Sequence, residues 1–197
     1  MSCNIVPMYH IYTSPSLILR REPSGDSAYF RLMTRDFGMV IGRAQGIRRD
    51  TSRLKGILQE YSSATVAYVR TKAGWKITTA IADENFFSGA TKEQKVVMAR
   101  IADCLIRFIP GEESSPDIFA IVHAGFRALV QTEYTQGIEL LMVSRILFVL
   151  GYIAGEERIA AIFESPLDFG SEQISLALQE KKTLVAAINK AFKESQL

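Results

Sequence analysis

Six strong bases, Arg35, Arg43, Arg48, Arg49, Arg53 and Lys55, fall within twenty-one residues, and Asp36 and Asp50 are the only acids among them. Like charges held this close repel unless a polyanion relieves them, and phosphate backbones are the common polyanions. Bases on strand edges and loops also occur simply as solvated charge that discourages edge-to-edge pairing; the clustering makes nucleic acid the better account. Sites of this kind add base stacking to phosphate contacts, and Tyr29, Phe37, Tyr61, Tyr68 and Trp75 supply rings in the same region. Most of these rings belong to a core. Phe37, at a turn tip beside Arg35, and Trp75, just after a loop, are the two expected at the surface. The candidate nucleic-acid interface is therefore Arg35, Phe37, Arg43, Arg48, Arg49, Arg53, Lys55 and Trp75.

Other chemistries find no support. His10 and His123 lie in different predicted domains, and neither has a neighbouring Ser, Cys or acid in a pattern that would set up a nucleophile. There is no His-Glu-x-x-His, no paired-cysteine spacing and no glycine loop closing on Lys-Ser or Lys-Thr. Gly38, Gly42 and Gly46 are spaced by four within a predicted strand, unlike a loop that cradles phosphate and opens a helix. Neither enzymatic activity nor a cofactor is expected. Cys3 and Cys104 fall in different predicted domains, which excludes a disulfide framework and fits a reducing compartment. The N-terminal stretch has no positive n-region, and no run reaches the eighteen or so apolar residues that a membrane span requires, so a soluble, cytoplasmic protein is expected.

The elements that must carry the bases read as strands. The pattern predicts strands over 8–21 (bent near Pro15), 28–34, 39–47, 59–70 and 75–82, with a turn at 23–26 and a hairpin loop at 71–74. Gly42, Ala44 and Gly46 recur at the strand period of two, so one face of the third strand is nearly bare and can curve tightly or lie against another backbone. The polar, basic connection 48–56 is expected as a loop or short helix at the mouth of a barrel. Five short strands with one longer connection is the count of an oligonucleotide/oligosaccharide-binding (OB) barrel.

Past Ala82 the period changes to about 3.6, which marks the domain boundary. Thr91 and Gln94 form a capping box ahead of Val97, Ile101, Leu105 and Phe108. Ser115 and Pro116 open a second helix striped by Ile118, Val122, Phe126 and Leu129. A third helix over 138–150 is apolar nearly all round, so it should be the buried centre, with Arg145 needing a partner such as Glu139 or Asp103. A short piece, 156–163, leads through Pro166 to a final helix opened by Ser171 and amphipathic through Ile174, Leu178, Val185, Ile188 and Phe192. The expected fold class is thus α+β in two domains: residues 1–82 an OB barrel, residues 83–197 all-α. Apolar content of 48% is ample for both cores. The total of +2 conceals an asymmetry: residues 1–82 carry 12 Lys/Arg against 5 Asp/Glu, and residues 83–197 carry 11 against 16, so the halves stand at +7 and −5.

At the basic stretch the chain also resembles a family, the bacterial recombination mediator RecO. The matching residues are Thr34, Arg35, Gly38, Ala44, Gly46, Arg48, Ser52, Leu58 and Gln59, with a second group at Arg145, Leu147, Leu150, Gly151 and Tyr152. The resemblance covers most of the chain and implies an OB barrel followed by a helical domain. It implies a non-enzymatic mediator that binds single- and double-stranded DNA, anneals complementary strands, and works with RecR and single-stranded-DNA-binding protein to load RecA, in the nucleoid-associated cytoplasm. In that family the helical domain can receive the acidic, Phe-ending tail of single-stranded-DNA-binding protein, for which Arg145 is a candidate pairing base; otherwise Arg145 is a buried structural residue. Many members carry a four-cysteine zinc motif after the Leu-Gly-Tyr, but residues 153–163 here contain no cysteine, so no metal is expected. The alternative is an interaction adaptor whose helical domain is the functional part, anchored by an RNA- or DNA-binding barrel.

Overall fold

A computed structural model describes residues 10–49 and 52–195; the start of the predicted first strand, Cys3 and Asp50 lie outside them. The chain divides into two compact units, Met1–Thr34 with Val40–Asn85, and Arg35–Met39 with Phe86–Leu197. The first holds five strands, β1 (Ile11–Ser24), β2 (Ser27–Thr34), β3 (Gly38–Ala44), β4 (Ser62–Thr71) and β5 (Gly74–Asn85), and a single helical turn, α1 (Leu54–Ile57). The strands close a barrel in the order β1-β2-β3-β5-β4, the OB arrangement expected from their number.

Alternation decides what fills the barrel. Phe30 and Leu32 of β2, Val40 of β3, Val66 and Tyr68 of β4 and Ile77 of β5 are buried. Two polar groups inside pair with each other: the Ser16 and Tyr68 hydroxyls lie 2.7 Å apart, and Ser16 Oγ donates to the Ser14 carbonyl at 2.9 Å. Burial pushes the Tyr68 phenol pKa above its ordinary value. Leu17, Ile18 and Leu19 are buried in succession, where the register of β1 against β2 slips between Ile18 and Arg20 and makes Leu19 a bulge residue.

Several boundaries differ from the pattern-based expectation. The third strand ends at Ala44 rather than Ile47, because Gly46 turns the chain at φ +66° and the Arg49 amide donates back to its carbonyl. The first strand runs on to Ser24, leaving only residues 25 and 26 for the turn, and β5 runs to Asn85 because β4 stays paired with it as far as Ser62.

The second unit contains α2 (Lys92–Phe108), α3 (Pro116–Val130), α4 (Thr135–Val149), α5 (Ala161–Glu164), α6 (Ser171–Gln179) and α7 (Lys181–Glu194). The capping box at α2 forms as expected, and its Gln94 does more: Nε2 donates to the carbonyls of Leu129 at 2.7 Å and Thr132 at 3.0 Å, tying the start of α2 to the end of α3. α4 is buried from Ile138 to Leu147 almost without interruption and packs against α2, α3, α6 and α7. The expected single last helix is instead two. They break at Glu180, whose carboxylate takes the Arg158 guanidinium at 2.8 Å and is held below the usual carboxylate range by it. Leu178 is left partly exposed while Ala177 is buried.

Among the described residues of this unit, Arg145 is the one buried charged side chain, 1% exposed on α4. Its partner is neither Glu139, which pairs with Arg100 at 2.6 Å, nor Asp103. Nε donates to the Ile162 carbonyl at 2.9 Å, Nη1 to the Asp168 carbonyl at 2.7 Å and Nη2 to Gln173 Oε1 at 3.1 Å, and the Phe169 ring lies 4.8 Å from Cζ. Burial draws its pKa down to about 10 against the opposing pull of Asp168, so it stays charged at neutral pH. The guanidinium therefore fastens α5 and the entry to α6 onto α4.

Two substitutions test these ties by urea unfolding. Gln94→Ala abandons the Leu129 and Thr132 carbonyls and one arm of the cap, and is expected to cost about 2–3 kcal/mol against about 1 for Thr91→Ala. Arg145→Met strands two carbonyls at about 1–3 kcal/mol each; an unchanged midpoint would contradict the structural role.

Candidate nucleic-acid interface

Barrel closure places the first two bases. β3 and β5 pair in parallel, with Gly42 opposite Trp75, Arg43 opposite Lys76 and Ala44 opposite Ile77. Gly42 permits this: a Cβ there would stand 2.9 Å from Ile77 Cγ1, closer than packed carbons allow, so Ile77 occupies the space that the bare face of β3 leaves. Arg43 and Lys76, one residue along on each strand, then project together from the outer face, both exposed. Arg43 reaches toward β2, where its Nη2 donates to Ser27 Oγ at 3.2 Å.

The connection after β3 adds more bases on the same side of the barrel. Arg48 is anchored to the β1–β2 turn, its amide donating to the Asp26 carbonyl at 3.5 Å and Nη1 to the Gly25 carbonyl at 3.3 Å. Arg49 lies over Gly46. Gln45, Gly46, Arg49 and Leu54 face Lys76, Ile77 and Thr78 across an open groove of about 420 Å³. Arg53 caps α1 and Lys55 sits within it, both exposed. The groove is thus edged by Arg49 and Lys76 and otherwise mostly polar, which suits a phosphate backbone.

Arg43, Arg48 and Arg49 are brought together, with Arg53 and Lys55 on the adjoining turn. Arg35 and Phe37 belong to the other compact unit. There Arg35 Nε pairs with Asp36 at 3.0 Å and Phe37 is only half-exposed. Trp75, expected at the surface, is 8% exposed. Its position on the inward parity of β5 sets it edge-on to Tyr12 and Tyr68 at 5.4 and 5.9 Å, with Arg70 over its face at 4.6 Å. Lys76 was not among the candidates, although its alternation with Trp75 and Ile77 marks it as outward.

On the helical unit, Arg145 lines a cavity of about 300 Å³ with Phe148, Phe163 and Leu167, but its donors are already engaged as described. A larger pocket of about 500 Å³ lies between α2, α4 and α7. Leu140, Val143, Val185, Ile188 and Phe192 make it apolar, while Arg100, Arg107 and Lys181 stand against Asp103 and Glu139 around it. Arg100 already neutralises Glu139. Cys104 forms part of the lining, its thiol pushed up to about 12 by burial. Among the described residues, no group of three or more His, Cys, Asp or Glu is placed to hold a metal ion, and no helix is long and apolar enough to cross a membrane.

No family model matches the chain. Three curated proteins are similar to it, each named DNA repair protein RecO and each from Dehalococcoides mccartyi. That of strain 195 is 26% identical over 125 residues, covering 62% of this chain and 49% of the relative. That of strain BAV1 is 28% identical over 115 residues, covering 57% and 46%, and that of strain CBDB1 is 27% identical over the same length. The chain thus spans about half the length of the curated relatives it matches, and it is to the DNA repair protein RecO that its sequence is similar.

Proposed function

We propose that this chain is a non-enzymatic DNA repair protein acting as a recombination mediator. It binds single- and double-stranded DNA through the barrel, anneals complementary strands, and helps load RecA, together with RecR, onto strands coated by single-stranded-DNA-binding protein. The observation that supports the DNA-binding part is that Arg49 and Lys76 line one groove, with Arg43 in register beside Lys76 and Arg48 held at the β1–β2 turn. Similarity to DNA repair proteins supports the assignment to DNA rather than RNA. The mediator steps follow from the resemblance to that family.

The helical unit supplies the partner site in this reading. An acidic tail ending in Phe needs an apolar pocket for the ring and a base for the carboxylate. The α2/α4/α7 pocket offers both, with Lys181 exposed at its edge. It fits better than the cavity beside Arg145, where the one base lining it already has its donors engaged.

If Arg43, Arg48, Arg49, Arg53, Lys55 and Lys76 each meet a phosphate, log K for a single strand falls with log salt at a slope of roughly −4, at about −0.7 per phosphate. Anisotropy titration across salt concentrations measures it, and a slope near zero rejects the interface. In the pocket, Val185→Asp should abolish binding of an acidic Phe-ending peptide in calorimetry while leaving DNA affinity unchanged; retained peptide binding would move the partner site elsewhere.

A further inference from the structure

Charge alone does not distinguish a single strand from a duplex, because both present phosphates. The outer face of the barrel carries something more specific. Along β2, Ala28, Phe30, Leu32 and Thr34 are buried, whereas Tyr29, on the opposite parity, is 38% exposed. Ser27 shares the parity of Tyr29, and it is Ser27 Oγ that receives Arg43; Tyr29 therefore stands on the same face, two residues or about 7 Å along β2 from the residue that Arg43 bonds. Ile41, two residues before Arg43 and on its side of β3, is 50% exposed. Lys76 is next in line on β5.

On the β1 side of this row the charges are mixed, with Arg20 exposed opposite Arg31. Glu22 is the register partner of Tyr29, and its carboxylate is engaged by Arg31 Nε at 3.3 Å. A backbone that runs over β3 and β5, where Arg43 and Lys76 lie, turns its bases toward Tyr29 and Ile41. We propose that Tyr29 is the base-stacking platform of the interface, and that the face formed by Tyr29, Ile41, Arg43 and Lys76 selects an unpaired strand over a duplex. This rests on the reading of the barrel as a DNA interface and adds to it the form of DNA preferred. In a duplex the base faces are stacked on one another, so the ring has nothing to meet, while the two bases act on either form.

The test compares three labelled probes on the full chain by fluorescence anisotropy at one salt concentration: an oligo-dT strand, an abasic deoxyribose-phosphate strand of equal length, and a duplex. The unaltered protein should bind oligo-dT about tenfold more tightly than the abasic strand. Tyr29→Ala should erase that preference while leaving abasic and duplex affinities within about twofold, and Tyr29→Trp should keep it. A preference that survives Tyr29→Ala, or an equal loss on all three probes, overturns the stacking role. The double variant Arg43→Gln with Lys76→Gln should weaken all three; if it weakens none, the interface itself is misplaced, which is a different failure from that of Tyr29.

Discussion

The parallel pairing of β3 with β5 is the contact on which the proposed interface depends. It closes the barrel, and closure is what brings Arg43 beside Lys76 from strands thirty-odd residues apart in sequence. The pairing relies in turn on an absence of side-chain volume. Gly42 leaves room inside for Ile77, so the inner layer is filled from β5 while the outer layer is left to the charged residues. A larger residue at this position would push Ile77 outward and separate the two bases, which makes Gly42 part of the interface without touching a ligand.

The helical unit solves a different problem with a different device. α4 is apolar all round and gains its neighbours by burial, yet the segment from Ile159 to Gly170 has little regular structure of its own beyond α5. One guanidinium supplies what that segment lacks. By donating to two carbonyls and an amide oxygen from three places in the following chain, Arg145 converts loop acceptors into a fixed scaffold. The same engagement commits its donors, whereas Arg107 and Lys181 edge the apolar pocket between α2, α4 and α7.

Much of this was legible in the residues. Period-two alternation, with a turn at 23–26 and a hairpin loop at 71–74, was enough for the barrel, and the Thr91–Gln94 and Ser115–Pro116 signatures marked two helix starts to the residue. What escaped was set by distant partners. The end of β3 coincides with a left-handed Gly46, and at the break between α6 and α7 Glu180 pairs with Arg158, twenty-two residues away. For Arg145 an acid was expected, because charge pairing is what a sequence advertises; carbonyls have no side-chain signature. Trp75 shows an avoidable miss. Trp75 and Ile77 alternate with Lys76 and Thr78, so the same pattern that defined the strand also assigned Trp75 inward and Lys76 outward. Proximity to a loop was the weaker signal.

That inward placement has an optical consequence. Trp75 is the chain's only tryptophan, and it is shielded from water by Tyr12 and Tyr68 inside the barrel unit. Its emission therefore reports on the barrel alone, while the far-ultraviolet dichroism of the chain is dominated by the helices of the other unit. The two halves carry separate spectroscopic labels by construction, and whether they melt as one cooperative block or in sequence can be read by comparing the two signals along a single denaturation curve.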